Sequence, residues 1–256
     1  MKAICLIITL IFLCVIFQGC DFDKREWERA NKKNTIESYQ YYLQKYPEGN
    51  FVVQAQDKIE MIEWRNVQGS KTIEPYQKFI EHYPEGKYTT TAKSYLENLL
   101  YNAVLKEPSV DYLEYYFAEY PEGNYTDAMM GINRHREKVR QLRDIIRSSK
   151  FDAVEKMDAA DQLGSIGQYA FSAVPELISL LSHKEKYNVR RTFGGSAGWI
   201  VSFDLLSPAD IAQEALQKIT KENLGNTESK WRIWWENFEV PMINDSTKSD
   251  SEADIE

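Results

Sequence analysis

The sequence is poor in the residues that most site chemistry requires. Only three histidines occur in 256 residues, His82, His135 and His183, and they lack metal-ligand spacing. The three cysteines, Cys5, Cys14 and Cys20, all fall in the first twenty positions. The body of the chain therefore has neither a disulfide framework nor a cysteine-based metal site. Basic residues are outnumbered, 31 against 39 acidic ones, and the net charge of -8 excludes the basic footprint of a general nucleic-acid binder. Glycine (12) and proline (8) are sparse, which suits helices joined by short turns better than a loop-rich β fold. No Gly-x-Ser-x-Gly, no His-Glu-x-x-His and no paired nucleophile and base stands out. No catalytic, cofactor-binding or metal residue is assigned, and no cofactor is expected.

What is present in excess is tyrosine, with 16 copies, and a repeat. Tyr46-Pro47-Glu48-Gly49 returns as Tyr83-Pro84-Glu85-Gly86 and as Tyr120-Pro121-Glu122-Gly123, at a step of 37 residues. Around it Trp27, Trp64 and Tyr101 align, as do Ile36, Ile73 and Val110, and then Tyr42, Phe79 and Tyr116. Within each unit the apolar positions fall at helical spacing, for example Ile36, Tyr39, Leu43 and Tyr46. Thr35, Thr72 and Ser109 stand where an N-cap is wanted, and Glu37, Glu74 and Asp111 meet the positive helix end. Proline then stops the short helix and glycine turns the chain. A longer helix follows, about Phe51 to Asn66 or Tyr88 to Val104.

This pattern resembles tetratricopeptide-like helical hairpins of the kind found in bacterial envelope lipoproteins. The resemblance implies an array whose units bury their apolar faces on one another. The tyrosines have two readings. Tyr39, Tyr46, Tyr76 and Tyr83 either pack between helices with their hydroxyls at the rim, or line a groove for a partner. Tyr39 and Tyr76 are thus candidate partner contacts.

The N-terminus carries a separate message. Lys2 precedes an apolar run from Ala3 to Phe17, 15 residues and so short of the roughly 20 that span a bilayer. This describes a secretory signal over residues 1–19. The Gly19-Cys20 junction resembles the lipobox of bacterial lipoproteins, with Phe17 and Gln18 in place of the usual residues before it. The resemblance implies a covalent lipid on Cys20 and a body held near the membrane by a short tether, 20–26.

Thr126 to Lys150 reads as a long connecting helix (its core at 129–150) with an apolar line and a basic line, Arg136, Arg140, Arg143 and Arg147. That basic line either meets anionic lipid head groups or an acidic partner, or is a solvated face paired with its own Glu137 and Asp144. From 151 to 240 the chain resembles a HEAT-repeat domain, through Leu163-Gly164-x-Ile166-Gly167, Ala173-Val174-Pro175 and Ala212-x-x-Ala215-Leu216. Its Trp231-Arg232-x-Trp234-Trp235 ending resembles a Trp-rich cap. Alternation on both sides of Gly194-Gly195-Ser196-Ala197-Gly198 predicts a β-hairpin insertion over 187–204. Arg190, Arg191 and Trp199 on it are candidate partner contacts. The glycine run lacks the lysine and helix start of a phosphate loop. The acidic, polar residues after Pro241 read as a disordered tail, 241–256.

The expected architecture is all-α: a solenoid of helical hairpins, three 37-residue units over 27–128, then the HEAT-like part with its small β-hairpin. The expected role is a non-catalytic protein-interaction scaffold, lipid-anchored at the bacterial envelope and facing the periplasm or the exterior. Two alternatives stand beside it: a subunit of an envelope assembly complex, and a small-ligand receptor or enzyme with the hairpin as a lid.

Overall fold

The structure is a computed structural model that describes residues 22–195 and 198–240, and of 190–202 only the backbone. The fold is all-α with one small hairpin of strands among the described residues. It divides into two compact units, Met1–Leu96 and Glu97–Glu256.

In the first unit α1 (22–33) precedes α2 (Ile36–Lys45), α3 (Val52–Val67) and α4 (Ile73–His82), and α5 (Thr89–Lys106) carries the division. Residues 22–26, expected as tether, are already helix. The predicted spacing holds: Tyr39 and Tyr42 are buried against Ala30, Ala55 and Ile59, with Trp27, Ile36, Leu43 and Phe51 around them. Each fully buried large side chain contributes roughly 1.5–3 kcal/mol of transfer free energy, so the aromatic positions of the repeat form its core.

The helix starts differ in a way the sequence explains. Thr35 caps α2 by accepting from the Ser38 backbone, and the Ser38 side chain returns the bond to Thr35 N–H. Thr72 makes no such bond at α4. Its third helical residue is Pro75, which has no N–H to give. Ser109 also makes no side-chain cap.

The second unit continues with α6 (Val110–Glu119), α7 (Thr126–Arg147), α8 (Ala153–Ile166), a 3-10 turn (Gly167–Ala173) and α9 (Val174–Leu180). After the hairpin come α10 (Pro208–Thr220) and α11 (Glu228–Asn237). Asp152 and Ser207 close capping boxes on α8 and α10. Gly167, at φ +69°, ends α8 where the glycine pair predicts, and Pro175 lies in the first turn of α9. α8 packs on α7 and α10, and α11 packs on α9. Trp231 is buried, its indole N–H donating to Gly225 C=O at 2.7 Å, and Phe171 gathers Trp235 and Phe238 about it.

The strands β1 (Tyr187–Gly195) and β2 (Gly198–Leu206) pair antiparallel, Tyr187 opposite Leu206 and Gly195 opposite Gly198. The hairpin thus extends two residues past its predicted end at 204.

The basic line of α7 is turned to internal use. Arg143 is buried and donates to Glu176 of α9 at 3.2 Å. Arg147 also pairs with Glu176, while Arg140 pairs with Glu137 at 2.7 Å. A buried carboxylate with two arginines is costly to break on one side, because the partner charge remains out of water. Glu176→Ala is expected to lower stability by about 3 kcal/mol, measured by urea unfolding, and Glu137→Ala at the exposed pair by less than about 1 kcal/mol.

Candidate functional site

The geometry around each Tyr-Pro-Glu-Gly turn has a feature of its own. Three acidic residues at the 37-residue step, Asp23, Glu60 and Glu97, lie on α1, α3 and α5 and are buried. Asp23 accepts from Tyr42 Oη at 2.5 Å, and also from the Asn50 backbone at 2.9 Å and the Asn50 amide at 3.0 Å. Glu97 accepts from Tyr116 Oη at 2.8 Å and from the Asn124 amide at 2.9 Å. The tyrosine hydroxyls are themselves acceptors, from Phe51 N–H at 3.1 Å and Tyr125 N–H at 3.0 Å. Each carboxylate therefore reaches into the turn that follows the next short helix, Asp23 binding its backbone directly and Glu97 through the Tyr116 hydroxyl.

The middle copy differs at two positions, with Lys87 where the others have Asn50 and Asn124. Phe79 replaces the tyrosine, and Glu60 accepts directly from Tyr88 N–H at 3.0 Å. In all three copies the repeat glycine lies against this group. A Cβ on Gly49 would meet Tyr42 Oη at 2.5 Å and Asp23 Oδ1 at 2.9 Å. Gly86 and Gly123 face Glu60 and Glu97 in the same way. None of the three has a positive φ, so glycine is required here for space.

A second element repeats at the same step. Trp27 stacks on Phe51 (5.2 Å, 3°), Trp64 on Tyr88 (5.7 Å, 8°) and Tyr101 on Tyr125 (4.1 Å, 11°). Such offset pairs are worth about 0.5–1.5 kcal/mol beyond burial. These rings fix the entry of each long helix over the preceding one.

Two of the candidate contacts are thereby corrected. Tyr39 and Tyr76 are 0% exposed and have no surface to offer a partner. Their hydroxyls are used inside: Tyr39 donates to Asn34 at 2.9 Å, and Tyr76 accepts from Gly69 N–H at 3.1 Å. The packing reading holds for both. Arg190, Arg191 and Trp199 are placed by backbone register alone, opposite Phe203, Ser202 and Gly194. Cys20, the leader and the tail lie outside the described residues.

Two surface features remain. A cleft of about 410 Å³ opens between α3 and α4 over Phe79 and Pro75. Its charges face one another, Lys78 on Glu74 at 2.6 Å and His82 on Glu63 at 3.4 Å. The latter pair occupies the positions of Lys45 and Glu26, 2.7 Å apart one repeat earlier, where the lysine holds the carboxyl below its usual range. The other feature is the hairpin, where Phe203 is 74% and Leu205 57% exposed. Among the described residues no group of three or more His, Cys, Asp or Glu could hold a metal ion, and no helix is long and apolar enough to cross a membrane.

Burial and the carboxylate bond push the Tyr42 hydroxyl up to about 12, and burial does the same to Tyr116. A raised tyrosine favours its protonated form, so this contribution to stability is complete below about pH 10 and is lost as pH rises toward 12. Alkaline unfolding followed by circular dichroism is expected in that window, and Tyr42→Phe/Tyr116→Phe is expected to flatten it. At pH 7 Tyr116→Phe should cost about 1–3 kcal/mol in urea unfolding, because Tyr125 N–H is left unpaired. Gly123→Ala should cost about 1–3 kcal/mol by crowding Glu97, with Gly69→Ala, in open space but at φ +86°, as the contrasting case of backbone strain.

Compared with known proteins, the chain matches no family model, no curated protein and no solved structure.

Proposed function

We propose that the protein is a non-catalytic interaction scaffold at the bacterial envelope, lipid-anchored through Cys20 and built as a solenoid of helical hairpins. The hairpin is the surface by which it holds a protein partner. The observation that carries this reading is the exposure of Phe203 and Leu205, two residues apart on β2 and so on one face of the strand. Their cross-strand neighbours are Arg190 and Asn188. Large apolar side chains in water beside polar partners are the composition of an interface core with its rim.

The strands support the same use. Among the described residues the two strands pair only with each other, so each keeps an outer edge of main-chain donors and acceptors. An extended segment of a partner pairs with such an edge and sets its side chains beside Phe203. The repeat tyrosines, by contrast, are largely engaged in packing and in the turn locks.

The test is site-specific photo-crosslinking in intact cells. A photoreactive residue at Phe203 is expected to capture one discrete protein, and one at exposed Tyr41 to capture far less of it. No adduct at Phe203 overturns the hairpin as the contact. For the anchor, Cys20→Ala is expected to release the chain from membranes and change its electrophoretic mobility. Retention with unchanged mobility overturns the lipid.

A further inference from the structure

The α5 helix carries a pair of asparagines that its repeat counterparts lack. Asn98 and Asn102 sit one helical turn apart, where α1 has Lys24 and Glu28 and α3 has Met61 and Arg65. Their amides are directed at the backbone of one residue. Val240 N–H donates to Asn102 Oδ1 at 2.7 Å, and Asn98 Nδ2 donates to Val240 C=O at 3.4 Å. The pair is held in place: Asn102 Nδ2 donates to Asn98 Oδ1 at 3.0 Å and to Asn98 C=O at 2.9 Å. Asn98 Nδ2 also donates to Tyr125 Oη at 2.9 Å, and Asn98 is only 6% exposed.

A carboxamide has the donor and acceptor of a peptide group. Two of them, fixed by neighbours, meet the N–H and C=O of one residue much as an adjacent strand would. The occupant suits such a site. Phe238 is extended (φ -69°, ψ 122°) and anchors the segment, its ring 4.6 Å from Phe171 and 5.0 Å from Trp234. Val240 precedes Pro241, which biases it toward the extended region. Both contacts to Val240 are made to its main chain, so they do not select its side chain. They also lie at one end of a segment whose apolar anchor is two residues back.

We propose that Asn98 and Asn102 form a main-chain clamp for an extended peptide, held in the isolated protein by its own Val240. The C-terminal segment is then a displaceable occupant, and an extended strand of a protein partner is the competitor. The position of the clamp is independent of the hairpin and of the lipid anchor. Every turn lock recurs with the repeat, whereas the clamp occurs in one copy, which separates it from what the fold needs in each unit.

The test uses the full chain and a fluorescein-labelled peptide of residues 236–245. Val240→Pro removes the N–H that Asn102 accepts, leaves only the contact of Asn98 to the carbonyl, and so weakens the resident occupant. The Val240→Pro chain is expected to bind the peptide at least tenfold more tightly than the unsubstituted chain. Adding Asn102→Ala is expected to remove that gain. Equal binding by the two chains, or a gain that survives Asn102→Ala, overturns the clamp. Hydrogen exchange on the unsubstituted chain gives a reading independent of any variant. The Val240 amide is expected to exchange at least a hundredfold faster than the α5 amides, and exchange at their rate marks a fixed strap and overturns displacement.

Discussion

A carboxylate withdrawn from water has to be surrounded by donors, and that requirement organises the repeat. On α1, α3 and α5 one acidic side chain is buried and directed at the turn formed after the following short helix. A turn has backbone N–H groups that no helix satisfies, and here they donate to Asp23 and Glu60 directly and reach Glu97 through the Tyr116 hydroxyl. The glycine of the turn is then fixed, because any side chain would occupy the space of the acid. The tyrosine two turns into the short helix is fixed as well in two copies, since its hydroxyl relays between carboxylate and backbone. Tyr-Pro-Glu-Gly is thus half of a motif whose other half lies on the preceding long helix.

The period, the hairpins of helices, the proline stops and the β-hairpin were all legible in the sequence. Each depends on local features: spacing of apolar residues, residues without an N–H, residues without a Cβ. The buried acids were not legible as such, although they recur at the same step. A lone Asp or Glu on a helix reads as solvated, and the donors that bury it lie 19 to 28 residues away. The orientation of Tyr39 and Tyr76 was open for the same reason, since their packing neighbours come from other helices. The cap at Thr72 failed through Pro75 three residues on, a conflict between two local rules that each hold alone. The line of arginines on α7 has the spacing of an exposed stripe, but Glu176 arrives from α9 to engage two of them. Neither helix announces the other.

The allocation of polar groups has a further pattern. Buried acids of the repeat serve the turns, and Arg143 and Arg147 of α7 serve α9. Two features stand apart from this allocation, the exposed apolar side chains of the hairpin and the paired amides of α5. Both suit a peptide better than a small charged ligand, since neither concentrates charge of one sign. The cleft over Phe79 follows the same logic, with its acids facing Lys78 and His82.

The short reach of the turn locks bears on how the chain acquires its structure. Asp23 and its partners Tyr42 and Asn50 lie 19 and 27 residues apart, and Glu60 and Tyr88 lie 28 apart. Closing such loops costs little entropy, and each closure involves only one stretch of about a repeat. As the chain emerges from its N-terminus, the first lock is complete once Phe51 is available, before any later repeat exists. The locks at Glu60 and Glu97 span the same short distances, so each can close within about one repeat length of chain.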